Sequence, residues 1–62
     1  MKVYEVVTEF YDDGSVKAAF YTYELDKKPE NFCIETSKCD IYHDYFTSKE
    51  EAKMYYDDAN RA

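Results

Sequence analysis

Residues 2–25, KVYEVVTEFYDDGSVKAAFYTYEL, decide the fold of this chain. Two runs rich in β-branched and aromatic residues, 2–11 and 16–25, flank the sequence Asp12-Asp13-Gly14-Ser15. Strand-forming runs on both sides of an Asp-Gly pair are the strongest short-range signal of a β-hairpin. The sequence therefore predicts a long N-terminal hairpin over residues 2–25.

Two registers of this hairpin are compatible with the turn. A two-residue turn at Asp13-Gly14 sets Phe10 opposite Lys17, which mixes polar and apolar partners. A three-residue loop, with Gly14 in the left-handed region, sets Phe10 opposite Val16 and sorts the other pairs by polarity as well. We predict the three-residue loop because it sorts the pairs better. The choice matters, since a slip of one residue would turn a strand over.

This register divides the hairpin into two faces. The predicted core face holds Tyr4, Val6, Thr8, Phe10, Val16, Ala18, Phe20 and Thr22. The second face holds Val3, Glu5, Val7, Glu9, Tyr11, Lys17, Ala19, Tyr21 and Tyr23. The second face mixes acids with large amphipathic rings, which is unusual for a surface that only meets solvent.

The remainder of the chain predicts a loop, two short strands at about 32–36 and 41–46, and a helix at about 48–60. Ser48 and Glu51 form a capping-box pattern at the helix start. The apolar stripe of this helix is Ser48, Ala52, Tyr55, Tyr56 and Ala59. We expect one compact α+β domain over 1–62: an antiparallel sheet of three to four strands led by the hairpin, with the C-terminal helix packed on its core face.

Length and composition narrow the class of function. The chain has 62 residues, 14 acidic against 8 basic, and 19% aromatic residues, so it is too aromatic for a disordered acidic tail. A domain of this size buries only about 60% of its unfolded surface and has little room for a catalytic pocket. A single glycine and a single proline exclude a glycine-rich phosphate loop. We expect no enzyme.

Charge and hydropathy predict the partners and the compartment. The net charge of −6 disfavours direct binding to nucleic acid or anionic lipid, since every phosphate contact needs a cation. No run approaches the roughly 18 apolar residues of a membrane span, and a charge interrupts any N-terminal signal segment. We expect a cytoplasmic protein whose partner is a protein with a basic surface.

The two cysteines and the histidine raise two further alternatives. Cys33 and Cys39 would face each other in a hairpin centred near Thr36, and a disulfide there would add about 2–3 kcal/mol. Cytoplasmic thiols stay reduced, however. Adding His43 and Asp40 supplies ligand types that zinc accepts, but their spacing matches no common zinc motif. We predict two small buried thiols, one surface imidazole, no metal and no cofactor.

The second face of the hairpin is the candidate partner-binding site. One helix covers one face of a small sheet, so the other would be left as an apolar patch of a few hundred square ångströms. Three interpretations remain open: the rings cover one another as the sheet curls, the face pairs with a second copy, or it binds another protein. The candidate binding residues are Glu5, Val7, Glu9, Tyr11, Tyr21 and Tyr23.

Spaced carboxylates suggest a narrower mechanism for such binding. Glu5 and Glu9 lie about 13 Å apart along one strand, and Glu50 and Asp57 lie about 10 Å apart along the helix. In this character the chain resembles the small acidic inhibitors encoded by bacteriophages, which occupy cationic grooves built for nucleic acid. That resemblance implies an inhibitor that imitates nucleic acid. The alternative is a structural homodimer without catalytic activity, whose hairpin face completes its core.

Overall fold

A computed structural model describes residues 1–61; residue 62, which the predicted domain includes, lies outside the described residues. The chain forms four strands and one helix, β1 (Lys2–Tyr11), β2 (Val16–Glu24), β3 (Phe32–Glu35), β4 (Cys39–Phe46) and α1 (Lys49–Arg61). The strands make one antiparallel sheet in the order β2-β1-β4-β3. This architecture confirms the predicted α+β fold.

The hairpin of β1 and β2 has the predicted three-residue loop. Phe10 pairs with Val16, and the register continues without interruption to Lys2 and Glu24. Gly14 has a φ of +88°, and its N–H donates to the Tyr11 carbonyl at 3.0 Å. A glycine adopts this left-handed conformation without steric cost, so Gly14 fixes which residues of both strands share a face.

The helix α1 begins with a serine cap and lies across one face of the sheet. Ser48 Oγ accepts the Glu51 N–H at 3.3 Å, which is half of the predicted capping box. Ala52 is fully buried, and Tyr56 meets Phe20 of β2 edge to face at 5.8 Å. We call this covered side, which carries Tyr4, Val6, Thr8, Phe10 and Phe20, the helix-side face.

The hairpin of β3 and β4 differs from the predicted one at its turn. Thr36 N–H donates to the Cys39 carbonyl at 2.9 Å, so β4 begins at residue 39 rather than 41 and β3 ends at residue 35. Cys33 pairs with Tyr42 rather than Cys39. Side chains alternate along a strand, and this register places the two cysteines on opposite faces of the sheet. A bond between them is therefore excluded, and both thiols are free.

The predicted burial of the thiols and the imidazole is partly wrong. Cys39 is buried, but Cys33 is exposed on the helix-side face. His43, predicted at the surface, is only 22% exposed and lies on the opposite face. Its position follows from the pairing of β4 with β1, which a local sequence pattern does not show.

Candidate functional site

The sheet side away from α1 is the candidate site, and we call it the helix-free face. The β1–β4 and β3–β4 registers extend it beyond the hairpin to all four strands. It holds all six predicted binding residues, since Glu5, Val7, Glu9 and Tyr11 share one side of β1 with Tyr21 and Tyr23 of β2. Strand β3 adds Phe32 and Ile34, and β4 adds Cys39, Ile41, His43 and Tyr45.

A buried carboxylate lies at the centre of this face. Glu5 is only 5% exposed and accepts hydrogen bonds from Tyr23 OH at 2.8 Å and from His43 Nδ1 at 2.9 Å. Burial raises the pKa of Glu5, but hydrogen bonds from His43, Tyr23 and Tyr45 outweigh it and hold the pKa below its ordinary value of 4.5. Glu5 is therefore an ionised acceptor inside the face and does not project into solvent.

The Glu5 carboxylate raises the pKa values of the two tyrosines beside it. Burial, together with a hydrogen bond to Glu5, raises the pKa of Tyr45 to about 12. The hydrogen bond to Glu5 likewise raises the pKa of Tyr23. Both phenols therefore stay protonated and donate to the carboxylate. Glu5, Tyr23, His43 and Tyr45 form one polar network, which we call the Glu5 cluster.

Aromatic rings lie over and beside the Glu5 cluster. Phe32 stacks on the His43 ring with a centroid distance of 4.3 Å and an interplanar angle of 12°. Tyr21 and Tyr23 stack at 6.4 Å along β2. Val3, which pairs with Tyr23, is fully buried on this face, although no helix lies on this side. The interpretation in which the rings cover one another thus holds for the centre of the face.

The outer part of the face remains accessible. Tyr21, Tyr23, Phe32 and Ile34 are between 39% and 48% exposed, and they lie on the two outermost strands. Val7 is half-buried between the strands that carry them. The face therefore consists of a closed, hydrogen-bonded centre and an exposed apolar rim.

Glu9 and Tyr11 lie toward the hairpin turn. The Tyr11 hydroxyl donates to Glu9 at 2.9 Å, and this bond raises the pKa of Tyr11. The Lys17 ammonium lies 5.4 Å from the centre of the Tyr11 ring, within cation–π range. Glu9 is half-buried. Of the two acids predicted to act as a pair on β1, Glu9 is the more accessible.

The helix-side face carries a concavity between α1 and the hairpin. It has a volume of about 270 Å³, is open to solvent, and is lined by Thr8, Phe10, Tyr55, Asp58 and Ala59. This volume is below the range of enclosed small-molecule sites, about 300–1,000 Å³. Thr8 is 1% exposed and its hydroxyl has no hydrogen-bond partner among the described residues.

The described residues form neither a metal-binding cluster nor a membrane-spanning helix. Within residues 1–61, no group of three or more His, Cys, Asp or Glu side chains is arranged to hold a metal ion. Over the same residues, the structure contains no helix with the length and apolar character needed to cross a membrane.

Sequence reasoning identified the hairpin half of the helix-free face and missed the half on β3 and β4. His43 and Phe32 were missed because their neighbours come from pairings over long sequence separations, such as Glu5 with His43. The alternating Ile41, His43 and Tyr45 of β4 were the only available signal, since alternate residues of a strand share a face.

Comparison with known proteins finds no matching family model, no similar curated protein and no similar solved structure.

Proposed function

We propose that this chain is a non-enzymatic protein-binding module whose helix-free face contacts a larger protein. The observation that carries the proposal is the exposed rim of Tyr21, Tyr23, Phe32 and Ile34, all on one face of one sheet. Tyrosine is enriched at interfaces because it gives a large, rigid contact at low entropic cost. The Glu5 cluster supports the rim from below and acts by positioning Tyr23, not by touching the partner.

The proposed partner has a basic surface. The chain carries a net charge of −6, which would steer a cationic surface toward it and suppress acidic partners. Glu9 is the acid of the helix-free face that a cation would meet, and Tyr11 holds its carboxylate in place. Because Glu5 is enclosed, the spacing of Glu5 and Glu9 gives little support to imitation of nucleic acid.

An inhibitor of the bacteriophage type is the narrower form of this proposal. In that form the acids of α1, such as Glu50 and Asp57, would meet the cationic groove of the target. Both are exposed in the structure. They lie on α1, which covers the other side of the sheet, so this form predicts that α1 and not the rim makes the decisive contacts.

A structural homodimer through the helix-free face is the second candidate. It is supported by the small size of the domain, since a second copy would complete the burial of the rim. Either candidate would operate in the cytoplasm, where reducing conditions suit an exposed free thiol such as Cys33.

Site-specific photocrosslinking tests the proposal. A benzoylphenylalanine at Ile34 places the reactive group on the rim, and one at Met54 serves as the matched control, because Met54 is exposed on α1. We expect the probe at position 34, but not the probe at 54, to give one discrete adduct with a different protein. An adduct of twice the chain mass would support the homodimer, and adducts from position 54 alone would favour contacts through α1.

Competition then assigns the contact to the rim. Excess unlabelled protein should abolish the adduct, and the Tyr21→Ser protein should compete at least tenfold more weakly. Tyr21 suits this test because it lies outside the Glu5 cluster. Met54→Ser should compete as well as the unmodified chain. Equal competition by Tyr21→Ser would show that the rim does not form the interface.

A further inference from the structure

The two edges of the sheet differ in length and in protection. The edge strand β2 has nine residues, Val16–Glu24, and pairs with β1 without a bulge. The edge strand β3 has four residues and follows a loop that contains Pro29. Proteins usually protect sheet edges with short strands, prolines, bulges or inward charges, because an open edge is a template for another strand. The β2 edge contains no proline, glycine or bulge.

The hydrogen bonds of the hairpin show which backbone groups of β2 are free to pair. Tyr11 N–H donates to the Ser15 carbonyl, and Met1 and Leu25 exchange both of their bonds at the other end. Bonded and non-bonded pairs alternate between these points. Residues 17, 19, 21 and 23 therefore bond to β1, while residues 16, 18, 20, 22 and 24 direct their backbone groups away from the sheet.

We propose that β2 pairs antiparallel with β2 of a second copy, about a twofold axis at Phe20, to form a continuous eight-stranded sheet. Outward backbone groups must meet outward groups, so an even-numbered residue must lie opposite an even-numbered one. Among these registers, the one centred on Phe20 pairs all nine residues of the strand. It would form about ten hydrogen bonds between the two copies.

Side-chain size and charge agree with this register. Tyr21 lies opposite Ala19 of the second copy, and Thr22 lies opposite Ala18, so these two residues each meet a small one. At the axis Phe20 lies opposite Phe20 of the second copy, which is a favourable aromatic pair. Lys17 lies opposite Tyr23, whose ring is a favourable neighbour for a cation. The two charged residues of β2, Lys17 and Glu24, lie opposite Tyr23 and Val16 of the second copy. The pairing therefore sets no like charges directly opposite one another.

This pairing uses the backbone edge of β2, whereas the proposed partner site is the helix-free face. Tyr21 and Tyr23 of the rim become neighbours of the second copy, but Phe32 and Ile34 stay exposed, and the helix-free faces of the two copies join into one broad surface. A dimer would therefore present two binding faces side by side, and failure of either proposal leaves the other intact.

Amide hydrogen exchange of the unmodified protein tests the pairing directly. At micromolar concentration, the Phe20 and Thr22 amides should exchange rapidly, whereas the Tyr21 and Tyr23 amides are protected by β1. At millimolar concentration, Phe20 and Thr22 should slow by at least tenfold, while Cys33 and Glu35 on the outer side of β3 should not. Rapid exchange at Phe20 and Thr22 at every concentration would overturn the proposal, whether or not the protein dimerises by another surface.

A proline variant provides the second test. Thr22→Pro removes an outward N–H and keeps the β1 ladder, so sedimentation should show at least tenfold weaker dimerisation. Glu35→Pro removes an outward N–H from β3 and is the matched control, which should dimerise like the unmodified chain. Equal dimerisation of the two variants contradicts the proposal, and the exchange measurement decides the outcome if Thr22→Pro fails to fold.

Discussion

The two faces of the sheet are both partly buried, but only one of them has a second layer of secondary structure. On the helix-side face, Val6 and Thr8 are enclosed under α1. On the helix-free face, Val3 and Glu5 are equally enclosed under side chains of the sheet itself. A small sheet can therefore bury both of its sides with one helix, provided that large rings take the place of the second one.

The two covers are held in place by different forces. The helix is held by apolar packing, including the contact of Tyr56 with Phe20. The ring cover is held by hydrogen bonds to one carboxylate, that of Glu5. Long aromatic side chains lose rotamer freedom when they are ordered, and bonds to an ionised acceptor offset that cost. The comparison predicts that the helix-free face depends on one residue more than the helix-side face does.

The largest expected effect is that of Glu5→Ala. The substitution leaves His43 and Tyr23 without their buried acceptor, so the free energy of unfolding should fall by roughly 2–4 kcal/mol. Urea denaturation followed by tyrosine fluorescence measures this loss.

Glu9→Ala is the matched control for this prediction. Glu9 is half-buried and accepts one bond, from Tyr11, so its loss should cost about 0.5–1 kcal/mol. Equal losses for the two variants would mean that the Glu5 cluster has no special role in holding the ring cover.

A smaller effect is expected from pH. The pKa of Glu5 is lower in the folded chain than its ordinary value of 4.5, so its ionisation stabilises the fold above pH 4.5. This contribution is lost as pH falls through the lower, folded pKa. The stability difference between the unmodified chain and Glu5→Gln should therefore shrink below pH 4.5. If the free energy of unfolding falls equally in both proteins below pH 4.5, Glu5 is not the group responsible.

The phenol of Tyr45 should make the free energy of unfolding fall at high pH. Its folded pKa of about 12 lies above the ordinary value of 10, so the protonated form stabilises the fold up to about pH 10. Between pH 10 and 12 that contribution disappears. Tyr45→Phe should be less sensitive to pH over this interval, and a spectroscopic titration of the tyrosines checks the assignment.

The smallest effect, and one of opposite sign, is expected on the helix-side face. Thr8→Val removes a buried hydroxyl that lacks a partner among the described residues, so the free energy of unfolding should rise by about 1 kcal/mol. Thr22→Val on the same face is the control, because Thr22 is exposed. A loss of stability for Thr8→Val would show that its hydroxyl is satisfied in solution.

Local features were predictable because each depends on neighbouring residues. Gly14 allows the three-residue loop, and that loop assigns every residue of β1 and β2 to a face. Ser48 with Glu51 marks the start of α1 within one residue. The candidate site on the hairpin followed from the same register.

Long-range features were not predictable, since no local pattern carries them. Glu5 and His43 are 38 residues apart, and they meet only because β4 pairs with β1. The turn at Ser37-Lys38 is two residues long, so Cys33 and Cys39 lie on opposite faces of the sheet instead of facing each other as predicted. The prediction that Glu5 offers its carboxylate to a partner did not anticipate its burial, for the same reason. Its three hydrogen-bonding neighbours lie in β2 and β4, far from it in sequence.

Because the two cysteines differ in exposure, their reactivities can report the local opening of the helix-free face near Cys39. Cys33 is open to reagents at all times, whereas Cys39 is buried on the helix-free face, with its sulfur 3.5 Å from the Thr36 hydroxyl. Alkylation of Cys33 would thus record the amount of protein, and alkylation of Cys39 would record how often that end of the face opens. The ratio of the two extents of alkylation reports the opening of that end of the face without any mutation, and it can be measured in intact cells.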